Sequence, residues 1–231
     1  VMARLHYCSK HWWLRGLKEE KKLVSDDEAS AIDKFKKKLR WDKNEKWFDR
    51  DGVGLLFYAT GSNEANVVAD LLDELKRDFQ GKEYSRRLES RLRDEGYIAL
   101  GIPGGTTTMM GAMMTASSEI VSMLLECGAN VESVDVMGHD ACMFASVFGR
   151  SKNLQCLLES VKDWDVNRTD KRFGGTLLNK ATYMGANKLE TVKVLLDAGA
   201  SLDFRTFSGG NALTGAVAVS YTHLTLPTNS S

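Results

Sequence analysis

Between Gly105 and Asp135 the apolar positions come in two bursts with a polar break between them. The pattern predicts a short helix of small residues from Thr107 to Met113, a two-residue break, and an amphipathic helix ending at Leu124-Leu125. Gly128 then supplies the left-handed residue that closes a last helical turn, with Ala129 and Asn130 starting an extended return. One such unit cannot bury its own apolar face, so it demands stacked neighbours.

Aligned on the Leu-Leu pair, the layout recurs over 51–72, 138–158 and 174–196, and a fifth copy begins at 208–217. From the start of the first helix (Gly54, Thr107, Asp140) to the first Leu of the pair (Leu71, Leu124, Leu157) is 17 positions each time, and the fourth copy, Thr176 to Leu195, carries two more. Successive starts from Thr107 through Asp140 and Thr176 to Asn211 lie 33, 36 and 35 apart. The periodicity predicts an all-α repeat array.

These residues resemble the ankyrin repeat family, whose period is about 33. Gly138, Ala145, Gly149 and Leu157-Leu158 match its pattern, as do Thr176, Leu178, Ala181, Gly185, Val192, Leu195-Leu196 and Gly199-Ala200. In the first copy Gly52, Leu56, Ala59, Val67-Val68 and Leu71-Leu72 match. The family's Pro is replaced throughout (Leu55, Thr108, Ala141, Leu177, Ala212), and so is its His (Phe57, Met110, Met143, Asn179, Thr214). The resemblance implies a solenoid of helix-turn-helix units joined by short β-hairpin loops. It also implies that the Thr and His ties between repeats are lost, at a cost in stability.

What the family does is bind, usually a protein. The resemblance places the partner in a concave groove, facing the two residues before each turn glycine and the two after the first-helix Ala pair. Here those are Met137, then Arg172 and Phe173, then Phe207 and Ser208. After the first helices they are Met114 and Thr115, Val147 and Phe148, and Tyr183 and Met184. Met with aromatics suits an adaptable peptide-binding stripe, and Arg172 at its rim suits acidic flanks. The competing reading is that these side chains fold over one another, or that an insertion covers them.

That insertion lies between the first two copies. The starts Gly54 and Thr107 are 53 apart, about 20 more than a repeat needs. Seven Lys/Arg and seven Asp/Glu interleave between 73 and 100, with pairs such as Glu83 and Arg87 four apart. They predict a charged helical insertion at about 76–100 that extends outward, as a solvated spacer or as a partner-specific arm. Ahead of the array, which runs over 49–217, residues 1–48 read as a capping segment. Ser25 with Glu28 predicts an N-cap for an amphipathic helix over 26–40, its apolar face Ala29, Ile32, Phe35 and Leu39 and its other face lysine. Trp12 and Trp13 read as packing residues.

Composition narrows the chemistry. Hydrophobic residues make up 43% of the 231, enough for a core, and two prolines with 27% charged residues favour helices. Net charge is zero; residues 1–50 hold 14 Lys and Arg against 9 Asp and Glu, and the remainder balances them. No general affinity for nucleic acid follows. The four cysteines (Cys8, Cys127, Cys142, Cys156) have no disulfide-framework spacing and suit buried thiols in a reducing compartment. No apolar run reaches the ~20 residues of a membrane span, and no signal peptide opens the chain.

Sites of reaction are excluded one by one. His6, Cys8 and His11 lack further metal ligands. The glycine-rich stretch 101–108 lacks the Gly-Lys-Ser/Thr ending of a phosphate loop and falls where the repeat turns. His139 and Asp140 adjoin a Cys142 at a buried Leu position, where a thiol is inert. The expectation is an ankyrin scaffold with no catalysis, cofactor, metal or small-molecule substrate, in the cytoplasm or nucleus, whose partner is a protein or peptide. The alternative is the regulatory array of a larger enzyme, a kinase or ubiquitin ligase. Val1 in place of Met predicts a start of translation further upstream. Residues 219–231, VSYTHLTLPTNSS, resemble a translated sequencing-adapter read-through, so 218–231 read as a non-native or disordered tail.

Overall fold

The computed structural model describes residues 30–41, 47–49, 52–93, 102–183 and 188–224. Among these the chain is all-helical, with eleven helices and two isolated bridges in place of any sheet. The expected readings of Ser25, Ala29, Trp12, Trp13, Met184, His6, Cys8 and His11 lie outside the described residues. The chain divides into two compact units at Val136 and Met137.

In the first unit, α1 (Ala31–Lys38) precedes a hairpin of α2 (Leu55–Gly61) and α3 (Ala65–Asp78). A short α4 (Gly81–Leu88) leads to a second hairpin, α5 (Thr108–Thr115) and α6 (Ser118–Glu126). First helix packs on first helix (α2 on α5) and second on second (α3 on α6), so two layers form. Leu71, Leu124 and Ile120 vanish between them, each 1% exposed or less. Half of α5 is methionine, and a single glycine among them lets the hairpins approach. Gly111 shows the fit, since a Cβ there would touch the Phe57 ring of α2 at 3.4 Å.

The second unit repeats the plan with α7 (Ala141–Phe148) and α8 (Ser151–Ser160), then α9 (Leu177–Tyr183) and α10 (Lys188–Asp197), then α11 (Ala212–Leu224). Helices α7, α9 and α11 form one row, and α8 with α10 a second. Leu154, Leu157, Leu177, Leu178 and Leu195 fill the space between rows. Helix α11 runs to Leu224, through positions that the sequence reading gave to a tail. Cys142 is buried in α7, as its Leu-like position requires.

Two sequence expectations are corrected. Helix α1 starts after Ser30: its Oγ accepts from the Asp33 N–H at 3.1 Å and donates to the Asp33 carboxylate at 2.8 Å. A nearer serine with an acid three residues on forms the cap itself. The apolar side of α1, Ile32 and Phe35, is buried, α1 packs on α3, and Lys38 reaches Glu64 at 2.8 Å.

The second correction concerns the helix starts, where the replaced His was expected to cost the ties. Reciprocal substitutes occupy the same two positions. The Thr107 hydroxyl accepts from Met110 N–H while the Thr107 N–H points at the Met110 sulfur, both at 3.3 Å. Thr176 and Asn179 exchange bonds in the same way, Thr176 N–H to the Asn179 side chain at 3.0 Å and Asn179 N–H to the Thr176 hydroxyl at 3.3 Å. Asn211 and Thr214 do so with the roles reversed, at 2.7 and 3.0 Å. Asp140 accepts from Met143 N–H at 2.9 Å. Ties between hairpins fall to asparagines instead: Asn63 accepts from Ser117 N–H in the first unit, and Asn167 from Ser201 N–H in the second.

The insertion does not project as a spacer. Helix α4 folds back, burying Leu88, Ser90 and Leu92, while Tyr84 donates to the Cys127 carbonyl at 2.7 Å and Glu89 accepts from Asn130 N–H. Its i,i+4 pair does form, Arg87 with Glu83, and the Arg87 guanidinium lies 3.8 Å from the centroid of the Phe79 ring. Ser90 is the joint: its hydroxyl accepts from Gly54 N–H at 2.6 Å and its carbonyl from Thr108 N–H at 2.9 Å. One residue of the insertion therefore supplies acceptors to the starts of both hairpins. The approach is so close that a Cβ on Gly54 would lie 2.8 Å from the Ser90 side chain. Gly54→Ala should cost about 1–3 kcal/mol through overpacking, although its φ of −74° suits any residue. Denaturant unfolding checks this; an alanine variant as stable as wild type would mean that Ser90 is not tightly seated.

Candidate partner-binding surface

The turns place the candidate side chains. In the second unit each turn carries a glycine of positive φ (Gly138 at 80°, Gly174 at 64°, Gly209 at 82°), and the tips stack on one another. A Cβ on Gly138 would meet Lys171 N at 2.8 Å, and one on Gly174 would meet the Phe207 ring at 2.6 Å. Only glycine permits both the backbone turn and that proximity. The Phe207 N–H donates to the Phe173 carbonyl at 2.9 Å, joining the last two tips.

Asp170 organises the middle tip from beneath. Its carboxylate accepts from Arg172 N–H (2.8 Å), Phe173 N–H (2.6 Å) and Gly175 N–H (2.9 Å), and from the Lys180 ammonium at 3.0 Å. Both side chains are buried, Asp170 at 0% and Lys180 at 7% exposed. Burial pushes the Asp170 carboxyl upward, but the Phe173 N–H and Lys180 outweigh it and hold the group below its ordinary value. Lys180 also lies 3.2 Å from His139 Nε2 and 5.4 Å from the Phe173 ring centroid. The buried charges thereby lock the backbone that presents Arg172 and Phe173.

The outcome for the predicted stripe is mixed. Phe207, Tyr183 and Phe173 stand 76%, 54% and 51% exposed, and Arg172 is exposed beside them. The Arg172 guanidinium stacks 5.0 Å from the Phe173 ring centroid and reaches the Met137 sulfur at 3.9 Å. Met137, Val147 and Phe148 are half-buried. Met114 is a correction, for it is 5% exposed and belongs to the core of the first unit. It shares a small gap with Phe57, Ile102 and Thr106, so the segment returning from the insertion covers it. The sequence also underrated the far end of the second unit, where Leu202, Phe204, Leu213 and Val217 are exposed.

No protein-family model matches the chain. Over 86 residues, 37% of its length, it is 33% identical to a stretch of Inversin from Danio rerio. That stretch is 8% of the relative. Inversin is an ankyrin-repeat protein, and the similarity to it is a hint of ankyrin repeats over that stretch. Among the described residues no helix is long and apolar enough to cross a membrane, and no group of three or more His, Cys, Asp and Glu could hold a metal.

Proposed function

We propose that this chain is an ankyrin-type solenoid that binds a protein or peptide partner on the stacked turn tips and first helices of its second unit, with no catalysis of its own. The observation that carries the reading is the exposure of Phe173, Tyr183 and Phe207, with Arg172 beside Phe173 on a tip fixed by Asp170. Rigid presentation of aromatic side chains is what hot spots need, because little entropy is then lost on binding. Isolated apolar residues on a surface require no explanation, but Phe173 and Phe207 stand exposed on tips joined by a backbone hydrogen bond, and Tyr183 is exposed at the far end of the helix that follows the first of them. Its partner offers apolar anchors, and the Arg172 cation selects acidic residues next to them.

Tyr183→Ser/Phe207→Ser tests the assignment, since neither side chain is needed for the core. Partners captured by the wild-type chain should be lost by the variant at equal folding by circular dichroism, whereas Lys36→Ala should keep them. Undiminished capture by the double variant would move the binding site elsewhere.

A further inference from the structure

The insertion is charge-balanced in sequence, yet the fold sorts those charges. Together with the first turn it walls an open cleft of about 720 Å³ in the first unit, lined by Lys82, Arg86 and Arg91 against the single carboxylate of Glu89. Glu89 is held away from a ligand, because one oxygen accepts from Asn130 N–H and the other is buried. Arg87, the neighbour of Arg86 on the helix, is used inside the fold on Phe79 and Glu83. Arg86 lies 4.8 Å from the Phe48 ring centroid, which steadies its guanidinium plane, and 4.0 Å from the exposed Glu83 carboxylate, whose other oxygen is taken by Arg87; Arg91 is held by the Ser133 hydroxyl at 3.2 Å. Lys82 projects exposed from the first turn of α4.

From this cleft we infer a second binding site, independent of the turn-tip surface, for a peptide segment carrying at least two carboxylates. Two steadied guanidinium forks match planar carboxylates bidentately, and Lys82 adds a mobile charge at the mouth. A nucleic acid fits less well. Arg86 at 4.8 Å and Arg87 at 5.8 Å from its centroid occupy the Phe48 ring, which is therefore not offered for base stacking. The recess also has room for several side chains, far more than one small anion fills.

The test is fluorescence anisotropy of a labelled, end-blocked oligoglutamate peptide with the full chain. Saturable binding that weakens as salt rises is expected, and Lys82→Glu/Arg91→Glu should lower affinity on the order of tenfold. Tyr183→Ser/Phe207→Ser should bind the peptide as wild type does, which separates this site from the turn-tip surface. Should the charge-reversed variant misfold by circular dichroism, Lys82→Gln, on an exposed side chain, should still weaken binding measurably. Equal binding of oligoglutamine, unchanged affinity in the folded variants, or preference for a single-stranded RNA over the peptide would each overturn the inference.

Discussion

Lys180→Met should destabilise the second unit by about 3–5 kcal/mol, because it strands the Asp170 carboxylate in a site where both partners are buried. The three backbone donors would remain, but the ammonium that also contacts His139 and Phe173 would be gone. The loss should depend on pH in a defined direction. A carboxyl held below its ordinary value contributes stability that is present above the unfolded-state value and disappears as pH falls through the folded one. The gap between wild type and variant should therefore be widest near neutrality and close in acid, as Asp170 protonates and no longer needs a cation. Asp140 works the other way: burial raises its carboxyl despite the Met143 N–H and Arg168, so its protonation favours the fold. For that reason the difference between the two proteins, rather than the wild-type curve alone, reports on Asp170. Urea unfolding across the acid range provides the measurement, and a gap that is small or flat with pH would show that the pair is not coupled to folding.

The second large effect is expected in the apolar layer. Leu157 on α8 is fully buried, so Leu157→Ala should cost about 2–5 kcal/mol, from the lost transfer energy and the cavity left behind. Because each hairpin rests only on its neighbours, the damage should spread along the row of α8 and α10. Lys36→Ala, which trims a half-buried side chain beside the buried Ile32 and Phe35 and leaves both in place, should change stability by less than about 0.5 kcal/mol. A Leu157 variant within about 1 kcal/mol of wild type would contradict the burial.

The helix pairs were legible because two strong signals coincided at each of them: the Leu pair sets the buried face, and glycine ends the turn. Thr107 and Gly128 accordingly bound the α5–α6 hairpin where the pattern put them, with Gly128 at φ 78°. The insertion was not legible for a related reason. Alternating charges resemble a solvated helix, while the residues that seat it, Leu88, Ser90 and Leu92, alternate over a stretch that begins inside a helix and is too short to register as a strand. Met114 was misplaced by the same omission, since Ile102, which covers it, comes from the return of that segment. The exposure of Arg172, Phe173 and Phe207 was legible, because the positive-φ glycines Gly174 and Gly209 mark where the chain turns at the surface. What no pattern disclosed was Asp170 beneath them, whose partners are backbone amides and a lysine ten positions on.

Ser90 gives the added segment a standing of its own. A graft that merely bulges from a scaffold can be cut away and the host closes over the gap. Here Gly54 and Thr108 have both surrendered their amide protons to one residue of the graft, and the glycine has no side chain with which to take over. Trimming the segment back to regular repeat length would orphan two buried donors at once, one in each hairpin. The segment is thus a keystone of the first unit, whose outer face can be lengthened or recoloured more easily than the whole can be removed.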